Sequence, residues 1–382
     1  VYDRLLAAGA QMGEAYGLEQ ALWFAPEGVV DEFSWRRSTD FEHVAEEFNA
    51  VRTAVGIMEI ASFAKYTIRG SGASDWLDRL LTCRLPADGR MTLAPMLNHG
   101  GKLIGDFSLA NLGDGEFFIV GSGLAENYHM RWFTQNLPED GSVEIIARGP
   151  GLVGLSIAGP KSRELLQRLV DDDVSNEAFR FLDIRKLDVG MAPCLVGRVS
   201  FTGDLGYEIW MEPEFQRYVF DLIQNQGEDL GLRLFGSRAL NSLRVEKNFG
   251  SWAREYRPIY GPYEAGMGRF VALKKDADFI GKAGAAAEKE HGGKLRLRVF
   301  VVDATDADAI GDEPIRHQGE VKGWVTSGGY AHASGLSVAM GYVPKEIADE
   351  KDGWSIDILG ETLSATLQPE PIFDPKAERM RG

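Results

Sequence analysis

Two carboxylates stand out because each sits where a strand usually puts an uncharged side chain. The first is Asp106, inside "MLNHGGKLIGDFSLANL" (Met96 to Leu112). A turn at Gly100 and Gly101 leads into a run that alternates like a strand. On a period of two, Ile104, Asp106, Ser108 and Ala110 share one face, and Leu103, Gly105, Phe107 and Leu109 the other. The second is Glu208, inside "RVSFTGDLGYEIWM" (Arg198 to Met211). After a Thr-Gly-Asp turn, Glu208 and Trp210 share a face opposite Tyr207, Ile209 and Met211. Asp is a poor strand former, and an unpaired buried carboxylate is costly. A carboxylate kept in such a place can accept hydrogen bonds, relay a proton or stabilise a cation. One lone strand acid is usually explained by water or by an Arg. Two, each after a Gly-rich turn in a different unit, fit a ligand site between domains, and the residues alone go no further.

The elements that must carry these acids form two similar blocks. In the first, "FAKYTIRG" alternates as a strand, and "ASDWLDRLLT" puts Trp76, Leu77, Leu80 and Leu81 on one helical face. Three strands follow, "MTLAPMLN", "KLIGDFSLANL" and "EFFIVGSG", separated by the turn signals "HGG" and "GDG". A helix over "AENYHMRWFTQNL" and a strand over "SVEIIARG" close the block. The second block reads strand "LVGLSIAG", helix "PKSRELLQRLV", strands "FRFLDIRKLDV", "APCLVGRVSF" and "GYEIWME", then helices "EFQRYVFDLIQNQ" and "SRALNSLRVEKN". Two mixed units of this kind predict α+β domains of ferredoxin-like character. From about Leu295 the texture changes to short strands broken by Gly, Pro and Asp, which predicts a small barrel or jelly roll. The acidic "DATDADAIGDE" (Asp303 to Glu313) is expected to be a solvated loop, since it lacks the Gly and Glu positions of a calcium loop.

At 382 residues the chain is long enough for two or three domains. A net charge of −16 with no dense Lys/Arg cluster makes nucleic acid and anionic membranes poor partners. Cys83 and Cys194 are expected to be core residues; neither they nor the six scattered His residues give a metal-ligand spacing, so no metal site is expected. No apolar run approaches the ~18 residues of a membrane span. Without the layout of a signal peptide at the start, a cytoplasmic location is expected. The chain begins at Val1, consistent with a processed product, a subunit or one part of a longer polypeptide. "GSGASDW" and the "GSG" at Gly121 to Gly123 lack the spacing of a phosphate loop and are read as turns.

Seven stretches, "MLNHGGKLIGDF", "FTGDLGYEIW", "LNSLRVEKNF", "YEAGM", "DFIGK", "GWVTSGGY" and "VAMGYVP", occur in an order that resembles the glycine-cleavage T-protein (aminomethyltransferase) family. Together with "ALWFAPEG" and the run from "EFSWRRSTDF" to "ASFAKY", they look most like the tetrahydrofolate-binding part of dimethylglycine and sarcosine dehydrogenases. The resemblance covers nearly the whole chain. It implies a three-domain cloverleaf: two ferredoxin-like α+β units and a C-terminal β-barrel or jelly roll, with folate in a central channel. The first two domains would interleave, as 1–62 with 150–249 and 63–149 with 250–285, followed by 286–382.

The resemblance also assigns roles. Asp106 would be the catalytic acid beside N10 of tetrahydrofolate, and Glu208 the reader of the pterin. Phe201 falls where the family often has Tyr and would be a stacking wall. Ser108, Ile119 and Phe181 would line the pocket, and Leu93 stands at the position of a pocket Tyr. The implied reaction moves a one-carbon unit from an N-methylated amine, or its iminium, to folate. FAD would enter only on a separate flavoprotein domain or subunit. Departures are visible: Gly105-Asp106 replaces two adjacent acids, Ala239-Leu240-Asn241 replaces a segment that supplies an Arg, and Arg269 stands where a Trp is usual. They fit the dehydrogenase branch better than a true T-protein and leave a lipoyl carrier protein in doubt as substrate. The alternatives are a stand-alone aminomethyl- or methyltransferase and a non-catalytic folate-binding scaffold. The scaffold's "KGCYxGQE"-type Cys is missing from "DADFIGKAG".

Overall fold

The computed structural model describes residues 1–15 and 17–382. Asp106 lies in a five-stranded antiparallel sheet ordered Arg90–Leu97, Leu103–Gly113, Glu116–Gly121, Ala64–Arg69, Glu144–Ala147. Helices Ala73–Leu80 and Glu126–Gln135 complete the block in the order the sequence predicts. The first helix forms because Trp76, Leu77 and Leu80 recur at helical spacing and bury one stripe. That stripe and Phe133 pack on Tyr66, Ile68, Phe107, Leu109 and Phe117. Met96 stands opposite Gly105 and Leu97 opposite Leu103, so Ile104 is an extra, bulged residue. The bulge sends Ile104 into the helix-side core. Strict alternation had put it on the face of Asp106, and the bulge overrules that.

Glu208 lies in a six-stranded sheet ordered Ile184–Val189, Ala192–Gly197, Gly206–Met211, Val153–Ala158, Val55–Glu59, Leu232–Leu234, whose last pair is parallel. Helices Ser162–Leu169 and Pro213–Gly227 cover one face, packing on Ile57, Leu155, Ile157, Tyr207, Ile209 and Met211. The two sheets alternate along the chain, because Val55–Glu59 and Val153–Ala158 flank the segment that builds the five-stranded sheet. A hairpin, Ala10–Ala15 with Leu18–Phe24, packs through Trp23 on helices Asp40–Thr53 and Ser237–Val245. Glu47 fixes the hairpin by accepting the N–H groups of Phe24 at 2.6 Å and Gly236 at 2.8 Å.

The C-terminal strands close into a six-stranded barrel, Leu295–Val302 pairing with both Leu336–Pro344 and Glu361–Gln368. Of the two predicted architectures the barrel is the one present. The loop Asp303–Glu313 is not free in solvent. Arg37 reaches Asp308 with Nε at 2.9 Å and Nη2 at 2.8 Å, and Arg36 reaches Asp306, so the acids dock the segment before the Asp40–Thr53 helix. Among the described residues no helix is long and apolar enough to cross a membrane.

The sheets meet through Met91, Ala110, Phe118 and Val120 on one side and Ile60, Ile184 and Trp210 on the other. Phe118 and Trp210 pack edge to face with centroids 5.9 Å apart. A Cβ on Gly154 would lie 2.6 Å from the Trp210 ring and 2.9 Å from Ile60. We therefore expect Gly154→Ala to destabilise the fold by about 1–3 kcal/mol through overpacking, measured by urea unfolding. An unchanged midpoint would show that the seam between the sheets is not packed tightly there.

Candidate active site

Strand pairing decides which side chains share a face with the two acids. In the five-stranded sheet Pro95 is opposite Asp106, Leu93 and Val120 flank Ser108, and Met91 and Phe118 flank Ala110. Met91, Ala110, Phe118 and Val120 belong to the seam, so Asp106 and Ser108 lie on the seam face. In the six-stranded sheet Gly197 and Ser156 flank Glu208, and Leu195 and Gly154 flank Trp210. Trp210 is a seam residue, so Glu208 shares that face too. A Cβ on Gly197, beside Glu208, would lie 2.9 Å from Sδ of Met91, so the bare backbone lets the sheets close here. Both acids face the same seam.

Among the described residues neither acid has a cation beside it. Asp106 is half-buried, and its pKa is pushed up to about 8, first by lost hydration and then by the negative charge of Glu255. Glu208 is also half-buried, and burial pushes its pKa up to about 7, with Trp210 pulling part of the way back. Its Oε2 is shielded from solvent and has no hydrogen-bond partner among the described residues. Such an orphaned acceptor is costly in a folded protein, and a ligand bearing N–H donors relieves that cost. The residues therefore fit an amino-pterin, whose exocyclic amine and ring N–H present adjacent donors.

The loop after residue 250 closes the Asp106 side. Glu255 is fully buried, and its Oε2 accepts the Ser251 N–H at 2.8 Å and Nη1 of Arg244 at 3.3 Å. Burial holds the Arg244 guanidinium below its ordinary range. Asn241 steadies it, accepting from Nε at 3.0 Å and Nη2 at 2.8 Å. Asn241 thus serves Arg244 here. Burial raises the Tyr256 phenol well above its usual range, with Asp106 and Glu255 adding to the effect. Trp252 packs on Tyr128 and His129 with centroids 5.6 and 5.7 Å away. Burial drops the His129 pKa to about 4, so the ring is neutral, 3.0 Å from the Ile104 carbonyl.

The sequence-predicted residues divide. Ser108 is half-buried on the Asp106 face, and Leu93, directly opposite it, is 38% exposed. Phe201 stacks on Phe249, centroids 5.9 Å apart and planes 19° apart, and Phe249 offers its carbonyl to Arg244 at 3.0 Å. Phe181 is half-buried beside Leu182, whose φ of 65° lies in the left-handed region. Leu182 holds that strained shape by bonding strands of both sheets, accepting the Met91 N–H at 2.8 Å and donating to the Arg198 carbonyl at 3.0 Å. Ile119 does not join them: it is opposite Leu109, fully buried in the helix-side core, so its side chain points away from Asp106. Glu255 and Arg244 were missed as site residues. The one signal available was an Arg-Glu-Tyr run in a loop with no periodicity to orient it.

The GCVT N-terminal domain matches residues 1–275, and the glycine cleavage T-protein C-terminal barrel domain matches residues 296–374. The chain belongs to the glycine-cleavage T-protein family. It is 32% identical to rat mitochondrial dimethylglycine dehydrogenase over 99% of its own length, which is 44% of that protein. It is 29% identical to the aminomethyltransferase of Caldanaerobacter subterraneus subsp. tengcongensis, covering 90% of this chain and 92% of that one. The chain spans less than half the length of the dimethylglycine dehydrogenases it matches. The fold matches that of aminomethyltransferase T from Bartonella henselae with a TM-score of 0.84, covering 98% of this chain and 97% of that one at 18% identity.

A carboxyl whose folded pKa is raised favours folding below its unfolded pKa and loses that contribution as pH climbs through the folded value. For Asp106 the window runs from its ordinary 3.8 to about 8. Asp106→Asn should therefore melt higher than the native chain at pH 8, with the gap shrinking toward pH 5. Calorimetry across that range checks it, and a gap that widens toward low pH would contradict the burial account.

Proposed function

We propose that the chain is a tetrahydrofolate-dependent one-carbon transferase that takes its carbon from an N-methylated amine, arriving as an aminomethyl group or iminium. The product would be 5,10-methylenetetrahydrofolate. The observation that carries this reading is the pair of uncompensated carboxyls on facing sheets, one with an orphaned oxygen. When bound, reduced folate would supply the nucleophilic nitrogen that accepts the carbon.

The chain's own residues then have distinct tasks. Glu208, as carboxylate, would accept the pterin's paired donors. Phe201, fixed by Phe249, would stack on the ring, and Ser108, Leu93 and Phe181 would line the approach. Asp106, with a pKa of about 8, is poised near neutrality to accept a proton that leaves a nitrogen, or to donate one to a departing amine. An arriving cation lowers the cost of ionising that carboxyl, so the substrate's charge would itself generate the base. Glu255 would keep the group from ionising earlier.

Oxidation of the amine would fall to a flavoprotein domain or subunit carrying FAD. The length of the dimethylglycine dehydrogenases beyond the matched region supports that division of labour. A second reading, aminomethyl transfer without a flavin partner, draws on the near end-to-end match to the Caldanaerobacter aminomethyltransferase. A non-catalytic folate-binding scaffold is the weakest reading, because it would use Glu208 but carry the cost of Asp106 without use.

Asp106→Asn should keep folate affinity within a few-fold while lowering transfer by ~10²–10⁴, the range for a positioned acid–base group. Glu208→Gln should weaken binding of 5-formyltetrahydrofolate by about ten-fold or more, the scale of a hydrogen bond to a charged group. Calorimetric titration and a single-turnover assay separate the two. Unaltered transfer in the first variant, or unaltered affinity in the second, would remove that residue from its role.

A further inference from the structure

The 14 residues after the barrel's last strand return to the six-stranded sheet rather than trailing into solvent. Phe373 donates its N–H to the Glu246 carbonyl at 3.2 Å, and its ring lies under the Arg52 guanidinium, 3.6 Å from the centroid. Lys247 donates to the Asp374 carbonyl at 2.5 Å. Asp374 in turn caps the short helix Glu378–Arg381, accepting the N–H groups of Glu378 at 2.9 Å and Arg379 at 3.2 Å. The end of this strap is pinned as Arg198 donates to the Arg381 carbonyl.

Its target is the turn that carries Phe201 and leads into the Glu208 strand. Arg379 places Nε 2.5 Å from Oδ1 of Asp204 and Nη2 2.5 Å from the Arg52 carbonyl. Asp204 is 1% exposed, and its other oxygen is held by Arg52, which also donates to the Thr202 carbonyl at 2.9 Å. On the other side the Lys247 stem crosses Gly203 so closely that a Cβ there would lie 2.2 Å from Cγ. Gly203 has a φ of 81°, so the turn needs glycine on conformational grounds as well. The turn is thus gripped between Lys247 and a pair of guanidiniums, with Phe201 at its tip against Phe249.

We propose that this strap is a working part of the ligand pocket, with Arg379 as the positioning residue that fixes the Ser200–Asp204 turn and, through it, Phe201 and Glu208. The inference rests on the folate reading above. A neutral side chain at 379 would leave Oδ1 of a buried Asp without its partner, and the turn would relax away from Phe249. The site would then depend on a segment contributed from beyond the barrel. Folate bound against Phe201 would reciprocally tighten the strap.

The test is Arg379→Gln in the full chain, titrated with 5-formyltetrahydrofolate, with amide hydrogen exchange followed across residues 200–208. We expect affinity to fall roughly ten-fold, the scale of a lost charge-assisted hydrogen bond. Exchange in the turn should rise, and Arg379→Lys should recover part of both. Phe373→Leu, which leaves the ion pair intact, guards against a variant that fails to fold and should shift both readouts the same way by less. Native affinity and native exchange in Arg379→Gln overturn the proposal and leave the folate reading standing. A lowered melting temperature with native affinity overturns it too. If the native chain itself binds no folate, the folate reading falls alone, and unchanged exchange across 200–208 in Arg379→Gln would then sink the strap's role.

Discussion

Burying a carboxylate without a cation is the constraint on which this structure turns. Elsewhere a buried acid finds a cation or, like Glu47, two backbone N–H donors. Arg52 sits between Asp204 and Glu246, and Lys275 reaches Asp78 at 2.8 Å. At the seam the remedy is withheld. Asp106 and Glu208 are raised toward or past neutrality by lost hydration, and for Asp106 the negative charge of Glu255 adds to the shift. With no cation beside them among the described residues, these two acids carry an electrostatic cost that a ligand bearing N–H donors or positive charge would relieve.

The rest of the architecture can be understood as holding that arrangement still. Each sheet uses one face for a helix-covered apolar core and gives the other to the seam. The acids therefore sit on rigid strands rather than on loops. The Leu182 turn links both sheets by backbone bonds, and Phe118 packs against Trp210 across the gap. The barrel contributes from a distance: Tyr342 donates to the Glu255 carbonyl at 2.7 Å and so fixes the loop that faces Asp106. The two larger sheets and the barrel thereby bear on one seam.

Much of this is legible in the sequence, for identifiable reasons. The strand–helix–meander–helix–strand block announces itself because Gly-rich turns separate runs with clean periodicities. The two acids are conspicuous because they interrupt apolar strands. Where the reading failed, a local rule was overridden by something longer in range. The bulge at Ile104 breaks alternation by one residue, a shift that only the partner strand reveals. Ile119 sits in an apolar run that gives no hint of which face is which, and pairing with Leu109 decides it. The three-residue strand Leu232–Leu234 and the N-terminal hairpin are too short or too mixed to show a period. Glu255 lies on a loop whose position is set by Arg244 and by the barrel. The family resemblance placed Asp106 and Glu208 in order along the chain, but it could not show what surrounds them.

The central claim is that the two acids are held partly protonated for a reduced folate to exploit. Proton linkage tests it most directly: calorimetric titration of 5-formyltetrahydrofolate at pH 7 in buffers of different ionisation enthalpy. With the Glu208 pKa at about 7, conversion to a hydrogen-bonded carboxylate should release about half a proton per ligand bound, and Glu208→Gln should abolish the release. Saturable binding with no proton released, or with the same release in Glu208→Gln, would contradict the account.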